Sequence, residues 1–537
     1  MENPLKRPYL FKLDPVLVVI LVAVTFLLLF RLDHRPFWQD EAETACLARN
    51  VLKYGVPQAF DGVNLISQEE GREFNGDYLW RWSPWLQIYL TAAAFKIGGL
   101  STWVGRLPFA LLGLACVILV YLLIKHHYRD LAWARWAAAL LAFSVPFLLF
   151  ARQCRYYSAG AFLVLVSLYA FRQQWQSRWG PALLLVGSLG LLFYSNYLIF
   201  LTYAGALLLA AVLFYLREMA NGRTFIIVIF LGLTLVPGLA IFRIWEQASM
   251  VDLLPLWTSL NRYFGDLFQF MVPLPVALAL IWRWRRPGIP QDPKERFAVF
   301  LTLIILVNLS LLALIPYCEH RYMIHLYPLG AILLGWVVLK VWRYQKFCGA
   351  LLGLLLLFTN WLQVVPLDWL RITNRPMHND LFMLTYPNLP LKLYVGELLS
   401  PYPDVNRNLI QFFKTNAQPG ETILITYDDL PLQFYTDCRV LGGLQGGVPL
   451  PPGETPDWVV KRWHTRWNRD LNLIKSEDFI RKNLNLAEDY QAVVLPFEDE
   501  IFGNRADPYY HRFVPPVEPL SLLTIYQKRS KIACHVP

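Results

Sequence analysis

Residues 14–43 read DPVLVVILVAVTFLLLF, then RLDHR, then PFWQDEAE. The first block is apolar almost without interruption and about long enough, as a helix, to cross a hydrocarbon core of about 30 Å. The last block sets three carboxylates, Asp40, Glu41 and Glu43, beside Phe37 and Trp38, where such a helix leaves the lipid. A soluble helix carries an apolar stripe and a polar face, and this run has no polar face. The stretch therefore predicts a membrane helix feeding a polar outer loop.

The same kind of run recurs. Apolar segments fall at about 14–30, 103–125, 131–150, 156–172, 180–195, 197–216, 224–242, 266–282, 297–316, 323–342 and 347–365, which predicts about eleven spans. Composition agrees: of 537 residues 56% are hydrophobic and 16% charged, against about 25% charged in a soluble chain. A disordered chain, a collagen and a disulfide-stapled secreted domain are excluded. The net charge of +10 does not call for nucleic acid, because basic residues at span ends serve as topology signals. The seven cysteines form no C-x-x-C or Cys/His spacing, so neither a zinc site nor a redox motif is indicated.

Lys6, Arg7 and Lys12 precede the first run, and no small-residue cleavage site follows it. It is read as an uncleaved helix with its N-terminus in the cytoplasm. Alternate loops then carry Lys125, Arg129 and Arg135; Arg172 and Arg178; Arg217 and Arg223; Arg283 to Arg296; and Lys340 to Lys346, and these form the cytoplasmic set. The outer set is about 31–102, 151–155, 243–265, 317–322 and everything after 365. Residues 84–98 are apolar but short, and counting them as a span would invert every later loop. They are read as a helix at the outer interface.

After Pro366 the composition turns polar. Residues 1–365 are read as a membrane domain and 366–537 as an outer α/β domain. Its strands are expected near 420–426, 492–496 and 522–526, its helices at 406–416 and 476–486, and a loop at 442–452. Cys438 and Cys534 are its only cysteines, and whether they pair is left open.

Three polar clusters fall on the outer side. Asp40, Glu41 and Glu43 suit an acid/base or cation site; the alternative is a helix start, where acids are favoured. Arg152 and Arg155, with Tyr156 beside them, run against the positive-inside trend, and arginine matches phosphate by charge and by its planar fork. The alternative there is interfacial snorkelling. Arg321 follows Glu319 and His320, where a Glu–Arg pair holding a loop is the alternative. Arg81, among Trp80 and Trp82, reaches the same side and reads first as an interface anchor. Together they suggest a site for a phosphate-bearing amphiphile with a base nearby.

At these residues the chain resembles the GT-C glycosyltransferases, in particular the group of protein O-mannosyltransferases and lipid A aminoarabinose transferases. The resemblance is carried by Asp40-Glu41-Ala42 after the first helix, Ser83 to Leu90, Gly105-Arg106-Leu107-Pro108 to Gly113, Ala151 to Ser158, and Arg321-Tyr322 to Pro328. Two departures stand out. The aminoarabinose transferases have a lysine before paired prolines where this chain has Trp82-Ser83-Pro84, with Arg81 displaced by one. They also have an aspartate beyond the second-loop arginine, where Tyr156-Tyr157 stands here.

The resemblance implies a multi-pass GT-C fold with a late soluble domain, and transfer of a hexosyl or pentosyl group from a polyprenyl-phosphate donor to a hydroxyl of a lipid, glycan or protein. The setting would be the outer face of a plasma membrane, the bacterial inner membrane with its periplasm. Asp40 would be the base of an inverting transfer, and Arg152, Arg155 and Arg321 the donor-phosphate contacts. Arg81, Tyr156, Glu319 and His320 would be accessory. Glu41 would orient the acceptor or, with Asp40, hold a divalent ion such as Mg or Mn; no other cofactor is implied. Glu43 would be a bystander. A lipid-linked glycan ligase or polymerase would also use outer arginines, but with its large loop late between spans. A transporter would show mid-span charges and repeats; the spans here are almost free of charge, and no repeat is found.

Overall fold

The computed structural model describes residues 14–173, 179–219, 222–248, 254–285, 288–315, 318–372, 383–400, 404–445, 450, 453–462, 471–499, 505–514 and 522–532. The topology signals Lys6, Arg7, Lys12, Arg178 and Arg286, part of the 442–452 loop, and Cys534 lie outside these residues.

Local chemistry starts the helices. α1 (Pro15–Leu29) has proline in its first turn, where a missing N–H costs nothing, and the Asp14 side chain accepts from the Val16 amide. α2 (Gln39–Tyr54) carries Asp40 and Glu41 in its first turn and ends on Gly55 at φ +78°. α3 (Leu86–Gly98) falls where the interfacial helix is expected; its 13 residues measure about 20 Å, too short to cross. α4 (Thr102–Tyr128) is capped by Ser101.

Helices fall on each of the eleven predicted runs. Five are single helices long and apolar enough to cross a membrane, and three helices of 15, 17 and 16 residues cover 15–29, 157–173 and 180–195. The remaining three runs are not straight spans. Leu131–Ala142 and Val145–Ala151 meet at 64°, Leu256–Phe270 and Leu274–Arg283 at 101°, and Lys346–Phe358 and Trp361–Trp369 at 88°. Pro146 and Pro273, each with no N–H to donate, stand at two of the breaks. The last pair carries its second helix across residue 365. All three breaks line one cavity, reached by Ser144, Gln269 and Asn360.

Ion pairs gather the loops into two ends. At one end Asp130 receives Lys294 at 2.6 Å and Arg343 at 2.9 Å, and Arg135 holds Asp14 at 2.7 Å. These are loops assigned together from charge. The other end holds 31–102, 152–155 and 319–322, and there the C-terminal sheet docks.

That sheet has five strands, β1 (Thr422–Ile425), β2 (Arg439–Gly442), β3 (Trp458–Val460), β4 (Tyr490–Glu498) and β5 (Leu522–Lys528), in the order β2-β1-β3-β5-β4. β2, β1 and β3 run parallel; β5 is antiparallel to both neighbours. β2 and β3 were not expected, because strands of four and three residues, three of them buried in each, leave no period to read. Beyond the ends of the parallel strands the chain meets α2. Asp429 accepts from Gln39 Nε2 at 2.8 Å, Gln39 Oε1 accepts the Leu430 amide, and Tyr435 accepts the Phe37 amide at 2.9 Å.

Candidate active site at the start of α2

Helical spacing sorts the three carboxylates. Residues 40, 43 and 44 lie on one face of α2, three and four apart, and residue 41 is turned away by one step. All three carboxylates are buried, Asp40 at 8% exposure and Glu41 at 0%.

Glu41 faces α4. Arg106 grips it with a fork, Nε to Oε1 at 2.8 Å and Nη2 to Oε2 at 2.5 Å, and the Cys154 amide adds a bond of 2.7 Å. The same guanidinium donates to the carbonyls of Leu32, Arg35 and Pro36, fixing the turn between α1 and α2. Gly105 lets α4 come this close, since a Cβ there would sit 2.7 Å from the Phe37 ring. Glu41 is thus a structural anion, with both oxygens held. No three His, Cys, Asp or Glu side chains converge for a metal among the described residues. The donor set around Glu41 does not fit a divalent ion unless the Arg106 fork breaks.

Asp40 faces the end of the helices where the C-terminal sheet docks. Arg321 donates to its Oδ2 at 2.5 Å, and Arg155 lies 3.7 Å from the same oxygen. Burial acts to raise the Asp40 carboxyl, but Arg321, Arg155 and Arg505 outweigh it and hold the group below the usual carboxylate range. Glu43 is not a bystander: on the same face as Asp40, it accepts from Arg155 at 2.7 Å and from Gln68 at 2.6 Å. Arg155 also donates to the Asp40 carbonyl and Thr44 Oγ1. The Nε atoms of Arg155 and Arg321 are buried with no hydrogen-bond partner, and Arg321 keeps a quarter of its side chain exposed. Tyr156 lies against Arg155, and Tyr322 against Arg321.

The other predicted residues fall elsewhere. Arg152 turns back to α1, donating to the carbonyls of Leu27, Leu28, Phe30 and Arg31 at 2.8–3.1 Å. It satisfies the C-terminal carbonyls that a helix leaves open. His320 is buried between Asp266 at 3.1 Å and Tyr327 at 2.9 Å. Glu319 is half-buried beside it, and its charge reaches both Arg321 and Arg262. Arg81 is half-buried, its Nε without a hydrogen-bond partner. Trp38 is buried, its Nε1 donating to Gln153 at 2.6 Å, so its indole fixes the second outer loop.

No protein-family model matches the chain, and no curated sequence is significantly similar to it. Solved structures do match. ArnT from Cupriavidus metallidurans, a lipid A aminoarabinose transferase, aligns in its undecaprenyl phosphate-bound form over 96% of this chain and 98% of its own, with TM-score 0.56 and 12% identity. Its apo form aligns over the same shares at TM-score 0.57 and 13% identity. The chain has the GT-C glycosyltransferase fold. The oligosaccharyltransferase AglB of Archaeoglobus fulgidus, solved with an inhibitory peptide and a dolichol-phosphate, aligns over 90% of this chain and 73% of its own at TM-score 0.44 and 13% identity.

Within this GT-C frame, two arginines have roles that sequence reading did not assign. Arg106 carried a signal, a charge inside an apolar span, which needs a buried partner. Arg505 carried none, because it lies in an irregular segment of the C-terminal domain. Its guanidinium carbon sits 4.9 Å from the centre of the Trp38 ring.

Proposed function

We propose that the chain is an integral-membrane glycosyltransferase that moves a sugar from a polyprenyl-phosphate donor to an acceptor hydroxyl on the outer side of the membrane, with inversion. The observation that carries this reading is Asp40, a buried carboxylate held by Arg321 and Arg155, both of which keep a donor N–H without a partner. The undecaprenyl phosphate bound by ArnT, which shares the fold, supports a lipid phosphate as the ligand.

In this reading the donor phosphate engages Arg155 and Arg321. Arg321, the more open of the two, exchanges its bond to Asp40 for bonds to phosphate, and the released carboxylate becomes a stronger base. Asp40 takes the acceptor proton as the hydroxyl oxygen bonds to the anomeric carbon. The bond from that carbon to the phosphate oxygen breaks, and polyprenyl phosphate leaves with its new charge held by the guanidiniums. Glu43 and Gln68 keep Arg155 in place; Glu41 and Arg106 hold α2 where Asp40 meets the substrates. The helices up to Trp369 form the membrane domain, and the C-terminal sheet lies over the site on the periplasmic face of a bacterial inner membrane. The acceptor is a lipid, glycan or protein hydroxyl.

The test is incubation of the purified protein with labelled hexosyl and pentosyl polyprenyl phosphates, with membrane extract as acceptor source. Release of polyprenyl phosphate by the wild type, lost in D40N, is the expected result. Release by neither, across the whole donor panel, rejects the reading.

A further inference from the structure

The C-terminal domain does more than cover the site. Resting on the function proposed above, we infer that Arg505 is a third guanidinium of the donor-phosphate cradle, so that the soluble domain supplies part of the binding site.

The segment that bears Arg505 is pinned to the membrane domain on several sides. Arg35 donates to the Arg512 carbonyl at 3.0 Å, and His511 pairs at 2.7 Å with Glu397, which Arg35 and His34 of the loop after α1 also hold. Tyr509 bonds to Asp266, and its ring meets Phe270 edge-on. Ala506, Tyr509 and Phe513 are buried in the apolar cluster of the membrane helices. His511 Nδ1 lies 2.8 Å from the Arg505 carbonyl, so the anchored histidine also fixes the backbone that carries the guanidinium.

The side chain is placed as deliberately as its backbone. It lies over Trp38, two residues before Asp40, and the indole is itself locked by Gln153. A guanidinium lying near an aromatic ring gains a cation–π contact and keeps the full charge that attracts an anion. Its field reaches Asp40, where it adds to those of Arg321 and Arg155. Half-burying a third cation beside two others is unfavourable unless anions compensate. Asp40 and Asp507 compensate it within the protein. A phosphate drawn to Arg155 and Arg321 would meet it as a third arm.

The experiment uses the full-length protein in detergent, with unglycosylated polyprenyl phosphate as the binding probe. R505A should weaken its binding about ten- to a hundredfold, as loss of a charge-assisted bond does, and R505K should recover part of that. A second readout separates binding from anchoring. Without Arg505 a cation is missing near Asp40, so the acid limb of the kcat/KM profile should move to higher pH in R505A and stay in place in R505K. A domain anchor alone would lower thermal stability and leave the limb unmoved. If R505A fails to insert, R505Q carries the same comparison, because it keeps a planar group over Trp38 without the charge. Normal binding and an unmoved limb in R505A or R505Q, with binding lost in R321A, overturn the Arg505 assignment and leave the transferase reading standing. Normal binding in both R505A and R321A, with D40N active, overturns both.

Discussion

Asp40 and Arg321, 281 positions apart in the chain, share a hydrogen bond of 2.5 Å at the end of the membrane helices where the C-terminal sheet docks. A carboxylate held this way is a weak base until something competes for its arginine. On the proposed mechanism that competitor is the donor phosphate, so donor binding and base activation are one event.

D40N keeps the shape of the side chain but cannot take a proton. Turnover should fall about a hundred- to ten-thousandfold, the usual contribution of a general base. Binding of the lipid phosphate should persist or tighten, because the amide competes less well for Arg321. Measured release rates beside a binding isotherm decide it: weaker binding with unchanged turnover would make Asp40 a positioning anion.

Glu41 should behave otherwise. Breaking a buried pair by removing one charge costs about 3–5 kcal/mol, because the other charge remains buried. E41Q and R106Q should therefore both lose thermal stability and yield, and E41Q/R106Q should lose less than the sum of the two. Additive losses in this cycle would mean that the fork contributes little to the fold.

The contrast between these two carboxylates marks what sequence could convey. Long apolar runs were legible because a hydrocarbon core makes a single demand on them, and Asp40 stood out because acids rarely crowd a membrane exit. The division of labour between Asp40 and Glu41 was not legible, since it depends on Arg106, which reaches Glu41 only once α4 packs beside the outer loop. The pairing of Glu43 with Arg155 was half legible, through the three-residue spacing from Asp40 to Glu43. The bonds of Arg152 to the end of α1 were not legible, because an arginine on such a loop looks alike whether it binds phosphate or caps a helix. The bend at Pro273 was readable in principle, but an apolar run on both sides concealed it.

The C-terminal domain should become more stable as the medium is acidified from about pH 7 towards the ordinary carboxylate range. Burial pushes the Asp428 carboxyl up to about 7, outweighing Arg462, which lies 3.0 Å away and is shared with Asp499. A carboxyl raised in the folded state contributes stability that is full below its unfolded pKa and is lost as pH rises through the folded one. Unfolding of the full-length protein, followed by a probe in this domain, should show that slope, and D428N should flatten it. The same slope in D428N would assign it to another group.

Activity should survive a strong chelator. Both Glu41 oxygens are taken by Arg106, and Oδ2 of Asp40 by Arg321. Loss of turnover with chelation, restored by Mg or Mn, would require those pairs to open around a cation and would return Glu41 to the role of metal ligand.

The outer arginines should separate into two kinds. Arg155 and Arg321 each keep a buried Nε without a partner, and each touches Asp40. Alanine at either should weaken use of the donor about ten- to a hundredfold, with the protein still inserted, and lysine should restore only part, lacking the planar fork. Arg152 makes four bonds to the carbonyls that end α1. Its alanine variant should lose stability first, with the surviving folded fraction binding polyprenyl phosphate at close to normal affinity. E43Q should resemble a mild Arg155 defect, because a neutral amide holds that guanidinium less firmly. Binding isotherms and melting curves on the same samples give both axes. If R152A loses lipid-phosphate affinity without losing stability while R155A and R321A bind normally, the phosphate lies against the end of α1, and Asp40 no longer stands beside the leaving group.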